Sequence, residues 1–198
     1  MGTFAAVGGL IIAGTVVSGA FASQSTGAQP GNQPEVVDAA LPSKAQWLRD
    51  VSAAIAPAQD FLAQRLRDSG EDVAIVLDID NTSLATDFDD EKPIEATLSL
   101  ARFAHDNGAF VMFVTNRKES GREETASQLE DAGFPVDGLC MRQPDDHSSK
   151  ATMKTNCRSS IEREGHTIVA NIGNRTTDLE GGHAERTFKL PDYDGQLQ

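Results

Sequence analysis

Positive charge is what this sequence lacks first. No lysine or arginine occurs before Lys44, and over all 198 residues 17 bases face 30 acids, a net charge of −13 at pH 7. Repulsion of that sign disfavours DNA, RNA and anionic membranes as partners. A phosphate-bearing substrate would feel it too, so a phosphate site here needs strong local cations. Cysteine is nearly absent. Cys140 and Cys157 lack the clustered ligands of a thiolate metal site and fit either a single disulfide or two buried thiols. His105, His147, His166 and His183 have no mutual metal-ligand spacing, and no internal repeat is visible. The rest of the composition, 39% hydrophobic and 24% charged, is that of one globular domain with enough chain to bury a core.

The stretch MGTFAAVGGLIIAGTVVSGAFA, residues 1–22, carries no charged side chain. Its apolar run ends in Ala20-Phe21-Ala22, a small-residue cleavage signature, and a Ser/Gln/Gly/Pro-rich stretch follows from Ser23 to Pro34. The expectation is a signal peptide over 1–22 cleaved after Ala22, a flexible leader over 23–42, a single domain over 43–198, and secretion. An uncleaved membrane anchor is the alternative, with five glycines lowering the segment's hydrophobicity against it.

Periodicity predicts a helix over residues 43–69, with Trp47, Val51, Ile55, Ala58, Leu62 and Leu66 on one face, Ser43 as its N-cap and Gly70 as its stop. Pro57 should kink this helix or start a second one. Strands are expected at 73–78, 109–115, 138–141, 166–173 and 186–190. Between them, helices are expected from Pro93 to Gly108, from a Ser120/Glu123 capping box to Gly133, and from Thr155 to Glu164. Strands alternating with helices mean an α/β fold, a three-layer Rossmann-like parallel sheet whose ligands bind beyond the carboxyl ends of its strands.

Past those ends lie Asp78, Asp80 and Thr82, then Thr115-Asn116-Arg117, then Asn174 and Asp178, while Lys154 sits on the helix before the last long strand. The grouping suits phosphoryl transfer through a carboxylate, which splits one hard displacement into two easier ones. A second carboxylate can protonate the leaving oxygen and later deprotonate water. Two crowded acids need a cation, and their hard oxygens suit Mg²⁺.

Asp78-Ile79-Asp80-Asn81-Thr82 resembles the D-x-D-x-T signature of the haloacid-dehalogenase-like phosphatases. From Trp47 to Tyr193 the chain resembles their secreted acid phosphatase branch (class B/C, subfamily IIIB), which includes plant vegetative storage proteins. VLDIDNTSL, FVTNR, KTNCRSSIE, IVANIGNRTTDLEGG and AERTFKLPDY carry the likeness. The resemblance implies an exported, Mg²⁺-dependent phosphomonoesterase acting on small phosphomonoesters. It implies Asp78 as nucleophile and Asp80 as general acid/base. Thr115 and Asn116 would hold the phosphoryl group, and Lys154, rather than Lys150, would neutralise it. Asp78, the Asp80 carbonyl, Asn174 and Asp178 would hold Mg²⁺. Two departures stand out. Asn174 replaces the family's aspartate, which lowers the expected metal affinity, and residues 83–108 leave room for only a minimal cap, with the pocket open or roofed by the N-terminal helix or a second subunit.

The blander readings are set beside these. A calcium loop at Asp78 is disfavoured because Ser83 stands where a glycine is needed and Asp89 where a bidentate Glu belongs. Asp178 could simply cap a short helix at TTDLE. Arg158 could be a surface charge, Gly181-Gly182 a turn, and DFDDE (87–91) a solvated loop without a ligand role. Trp47, Phe61 and Phe103 read as core. As rivals to a phosphatase stand a catalytically weakened, storage-like or phosphate-ligand-binding relative, which Asn174 favours, and phosphoryl transfer to an acceptor other than water.

Overall fold

The computed structural model describes residues 41–68, 72–88 and 92–197. The expected signal peptide, nearly all of the expected leader, the Gly70 stop and residues 89–91 lie outside them. Helix α1 spans Lys44–Arg65, and Ser43 caps it through a side-chain oxygen that accepts from the Gln46 N–H at 3.3 Å. Pro57 lies inside this single helix, and no second helix starts there. Trp47, Val51, Ile55, Ala58 and Leu62 form its buried stripe.

Five strands, β1 (Val73–Leu77), β2 (Phe110–Lys118), β3 (Gly138–Arg142), β4 (Thr167–Gly173) and β5 (Arg186–Lys189), form one parallel sheet in the order β3-β2-β1-β4-β5. Helices α2 (Glu95–Asp106), α3 (Arg122–Asp131), α4 (Lys150–Arg163) and α5 (Thr176–Leu179) connect them. All five residues of β1 are buried, as expected of a strand with neighbours on both sides and helices on both faces. Alternation sorts them. Ile75 and Leu77 join the core built by α1, α2 and α3, whereas Ala74 and Val76 join Met153, Cys157 and Ile161 of α4 on the other face. The result is the three-layer α/β sandwich that the alternation of elements led us to expect.

The chain runs outward from β1 through β2 to β3, then returns to β4 on the other side of β1. The reversal puts a crevice at the carboxyl ends of β1 and β4, where such sheets bind ligands. A disulfide between Cys140 and Cys157, with Cα atoms 6.0 Å apart, ties β3 to α4.

Several boundaries differ from expectation. Strand β2 continues to Lys118 because a register shift after Val114 lets Lys118 pair with Arg142. Helix α4 begins at Lys150, not near Thr155, with Ser149 accepting from the Thr152 N–H at 3.1 Å. The Ser120/Glu123 capping box does not form. Residues Glu119–Gly121 make a 3₁₀ turn, Gly121 caps α3 without a side chain, and Glu119 pairs with Arg122. Helix α2 starts at Glu95, two residues after Pro93.

Candidate active site

Strand β1 delivers Asp78 to the crevice on the face that α4 covers, continuing the alternation of Ala74 and Val76. The Asp78 N–H donates to the Ile172 carbonyl of β4 at 3.0 Å, and the Ser83 hydroxyl donates to the Asp78 carbonyl at 2.7 Å. Asn81, with φ of 55°, turns the chain back on itself in the left-handed region that Asn tolerates better than most side chains. Its side chain then closes the loop, with Nδ2 donating to Asp87 Oδ2 at 2.9 Å and Oδ1 accepting from the Asp87 N–H at 3.0 Å. Thr86 and Asp87 thereby reach the wall of a cavity of about 320 Å³ above Asp78.

Across the cavity, α4 presents Lys154, buried like Asp78. Its ammonium donates to Asp78 Oδ1 at 2.5 Å and to Asp178 Oδ1 at 2.7 Å. Burial pushes the Asp78 carboxyl up to about 7; Lys154 opposes this, while the Asp178 and Asp80 carboxylates add to it. Burial also disfavours the charged lysine, but the two carboxylates outweigh it and raise its pKa. These opposite demands are compatible: an ammonium shared by two carboxylates stays charged while one of them is held back from ionising.

Asp178 does two jobs. Its Oδ2 accepts from the Arg175 N–H at 2.7 Å, capping α5, and its Oδ1 takes the lysine. Gly173 makes this approach possible, since a Cβ there would lie 2.4 Å from Asp178 Cβ. Arg158, weighed above as a surface charge, is fully buried. It donates to the carbonyls of Asp178 at 2.8 Å and Gly182 at 2.9 Å, and also to that of Glu180, fixing the turn after α5.

Asp80 stands higher in the cavity, its side chain 29% exposed. Arg117 donates to it from Nη2 at 2.7 Å and from Nε at 3.2 Å, and Thr86 Oγ1 donates at 2.9 Å. Arg117 in turn donates from Nη1 to Gln128 Oε1 of α3 at 2.6 Å. The Thr115 side chain is fully buried, and its hydroxyl accepts from the Arg117 N–H at 3.1 Å. Asn116 lines the cavity while its Oδ1 accepts from Arg142 Nε at 2.7 Å.

Asn174, at the end of β4, is fully buried. Its N–H donates to Thr82 Oγ1 at 3.0 Å, and its Oδ1 lies 3.5 Å from the same hydroxyl. Its Nδ2 has no hydrogen-bond partner, an orphaned donor on the cavity wall. Turning the amide over would let Nδ2 donate to Thr82 Oγ1 and aim the carbonyl oxygen into the cavity. The flipped amide then suits a cation facing that oxygen. Among the described residues no three His, Cys, Asp or Glu side chains gather to hold a metal. The Asn174 oxygen so turned, with the carboxylates of Asp78 and Asp178, would offer a cation a hard oxygen set that suits an ion keeping several waters.

Asp78, Asp80, Asn116, Lys154, Asn174 and Asp178 thus share one cavity, with Thr115 buried beside it. Sequence reasoning missed the roles of Arg117, Thr86 and Asp87. Arg117 carried a signal, as the cation directly after Thr115-Asn116 at a strand end. The sequence reading puts Asp87 in a solvated loop; the structure puts it on the cavity wall, and Phe88 beside it stacks on Trp47 with ring centroids 4.5 Å apart.

Comparison with known proteins bears on this geometry. The family model for the HAD superfamily, subfamily IIIB (acid phosphatase), matches residues 86–196. The stem 28 kDa glycoprotein of Glycine max is 35% identical over 89 residues, covering 42% of this chain and 35% of that protein. Acid phosphatase 1 of Solanum lycopersicum is 39% identical over 87 residues, covering 42% of this chain and 34% of that one. The chain therefore spans about a third of the length of the curated relatives it matches. The class C acid phosphatase from Bacillus anthracis superimposes with a TM-score of 0.62 over 76% of this chain and 80% of that one; at 16% identity this likeness concerns the fold alone.

Proposed function

The chain belongs to the HAD superfamily, subfamily IIIB, the acid phosphatase family, and from that premise we propose that it hydrolyses small phosphate monoesters through a phosphorylated Asp78. The observation that carries this reading is the buried Lys154 ammonium 2.5 Å from Asp78 Oδ1 at the floor of a polar cavity. In the first step an Asp78 oxygen attacks phosphorus, and Asp80, as general acid, delivers a proton to the departing alkoxide. In the second, Asp80 takes a proton from water, which attacks the same phosphorus and regenerates Asp78 with release of inorganic phosphate. Lys154 neutralises the phosphoryl oxygens. The Thr115 hydroxyl, accepting from Arg117, keeps its own O–H to donate to one of them. Thr86 and Arg117 orient Asp80 toward the leaving group.

A divalent cation, Mg²⁺ in this reading, would be held by Asp78, the Asp80 carbonyl, Asn174 and Asp178. When bound it supplies positive charge against the phosphoryl oxygens and the crowded carboxylates. The test is phosphate release from para-nitrophenyl phosphate with and without added Mg²⁺, beside Asp78→Asn. Hydrolysis by the wild type and loss of at least a thousandfold in the variant is expected; equal rates would overturn the mechanism. A second reading, a phosphate-ligand binder without turnover, draws on the uncharged Asn174. Saturable binding of inorganic phosphate without hydrolysis of any ester would favour it.

Export belongs to the same proposal. Its support is the uncharged stretch 1–22 ending in Ala20-Phe21-Ala22, together with the Cys140–Cys157 disulfide, a bond that persists in oxidising compartments. Sequencing the amino terminus of the protein recovered from the culture medium tests it; Ser23 is the residue expected first.

A further inference from the structure

Resting on the proposed phosphatase reading, we infer that the preferred substrates are small, non-aromatic phosphate esters carrying a second anionic group, which Lys150 binds. Among the described residues the cavity wall holds no aromatic ring and no Val, Leu, Ile or Met side chain. Above Asp78 its walls are Asp80, Thr86, Asp87, Asn116, Thr177 and Lys150. A nucleobase or an aryl group would find no ring to stack on. A hydroxylated or carboxylated leaving group would find hydrogen-bonding partners, and about 320 Å³ lies at the small end of the range of ligand pockets.

The cations sort the second group. Lys154 is taken by Asp78 and Asp178. Arg117 is taken by Asp80 and Gln128. Arg175 donates to the carbonyls of Gly195 at 2.9 Å and Leu197 at 2.6 Å. Lys150 alone among the cavity's cations makes no ion pair among the described residues, and it is exposed. It precedes Lys154 by four residues on α4, so both lie on one helix face, with Lys150 about 6 Å farther out along the axis. It also sits in the first turn, where the helix N-terminus adds partial positive charge. Asp87, also on the cavity wall, disfavours an anion near itself. A phosphoryl group over Lys154 and a second anion at Lys150 would lie one helical turn apart, the span of a three-carbon phosphorylated acid. The net charge of −13 gives no general attraction for dianions, so this preference has to be local.

The experiment measures kcat/KM of the full chain for two matched pairs. 3-Phosphoglycerate and glycerol 3-phosphate differ in a carboxylate; fructose 1,6-bisphosphate and fructose 6-phosphate differ in a phosphate. The doubly anionic member of at least one pair is expected to be favoured about fivefold, and which pair shows it says whether the second anion is a carboxylate or a phosphate. The ratio should fall to about one in Lys150→Gln and persist in Lys150→Arg. Because each ratio is taken within one preparation, partial misfolding cannot produce it. Ratios near one in the wild type, ratios unchanged in Lys150→Gln, or a KM for phenyl phosphate below those of all four would overturn the inference while leaving the phosphatase reading intact. Hydrolysis of none of these esters would overturn both.

Discussion

The Lys154 ammonium bonds Asp78 at 2.5 Å across 76 residues of sequence, with Asp178 as its second acceptor at 2.7 Å. A cation placed between two buried carboxylates leaves the cluster one negative charge in excess. That excess is stable only if a proton or a further cation offsets it. Competition between those two possibilities governs the behaviour of the site.

Stability without metal should reflect the proton. The Asp78 carboxyl sits at about 7, above its ordinary 3.8. Between those values the folded state holds more protons than the unfolded chain. The stabilising contribution is complete below about pH 4 and is lost as pH rises through about 7. In EDTA the melting temperature should therefore fall over that interval. Asp78→Asn, which has no charge to bury, should flatten the fall and melt higher than wild type above about pH 7, as calorimetric scans across pH will show.

Metal affinity should answer to Asn174. Asn174→Asp restores a charged ligand beside Asp78 and Asp178 and should tighten Mg²⁺ binding about tenfold, because ligand charge sets affinity at such sites. Calorimetric titration of Mg²⁺ into the substrate-free protein measures this directly. An unchanged dissociation constant would remove Asn174 from the ligand set.

Arg117 acts through Asp80. Arg117→Met keeps the chain length but removes the guanidinium donors to the Asp80 carboxylate, leaving the Thr86 hydroxyl as its donor among the described residues. Because a misplaced general acid costs rate more than binding, kcat should drop about tenfold to a hundredfold with KM little altered. A rise in KM at constant kcat would instead assign Arg117 to substrate binding.

Trp47 supports the cavity wall through Phe88. Its ring is fully buried and stacks on Phe88, next to Thr86 and Asp87. Trp47→Ala should destabilise the fold by about 3–5 kcal/mol in urea titrations. Trp47→Phe, which retains a ring for Phe88, should lose less.

Reduction of Cys140–Cys157 should also cost stability. The bridge closes a separation of 17 residues, and a loop of that size is worth about 3 kcal/mol in the chain-entropy description. Urea titrations with and without dithiothreitol compare the two states. Since Cys157 follows Lys154 by one turn of α4, the reduced protein should lose activity before it unfolds.

The local code carried much of this molecule. The apolar runs at 73–77, 110–114 and 168–170 and the 3–4 spacing from Trp47 to Leu62 announced buried strands and an amphipathic helix, because burial demands a period that sequence displays directly. Strand ends also located Asp78, Thr115 and Asn174 on one edge of the sheet. Boundaries were less legible. Lys150 starts α4 because Ser149 caps it, and Gly121 displaced the Ser120 box at α3, outcomes decided by small differences between neighbouring hydrogen-bond partners.

Partnership was the part that only tertiary structure decided. Nothing near Arg158 in the chain says that it will be fully buried against three carbonyls, nor that Asp178 will serve a cap and a lysine together. Arg117 meeting Asp80, Asp87 folding back onto Asn81 and Cys140 reaching Cys157 belong to the same class. A side chain's chemistry and its place along an element are local properties, written residue by residue. Which charges desolvate together depends on how two layers of helices close on the sheet, and that distance exists only once the chain has folded.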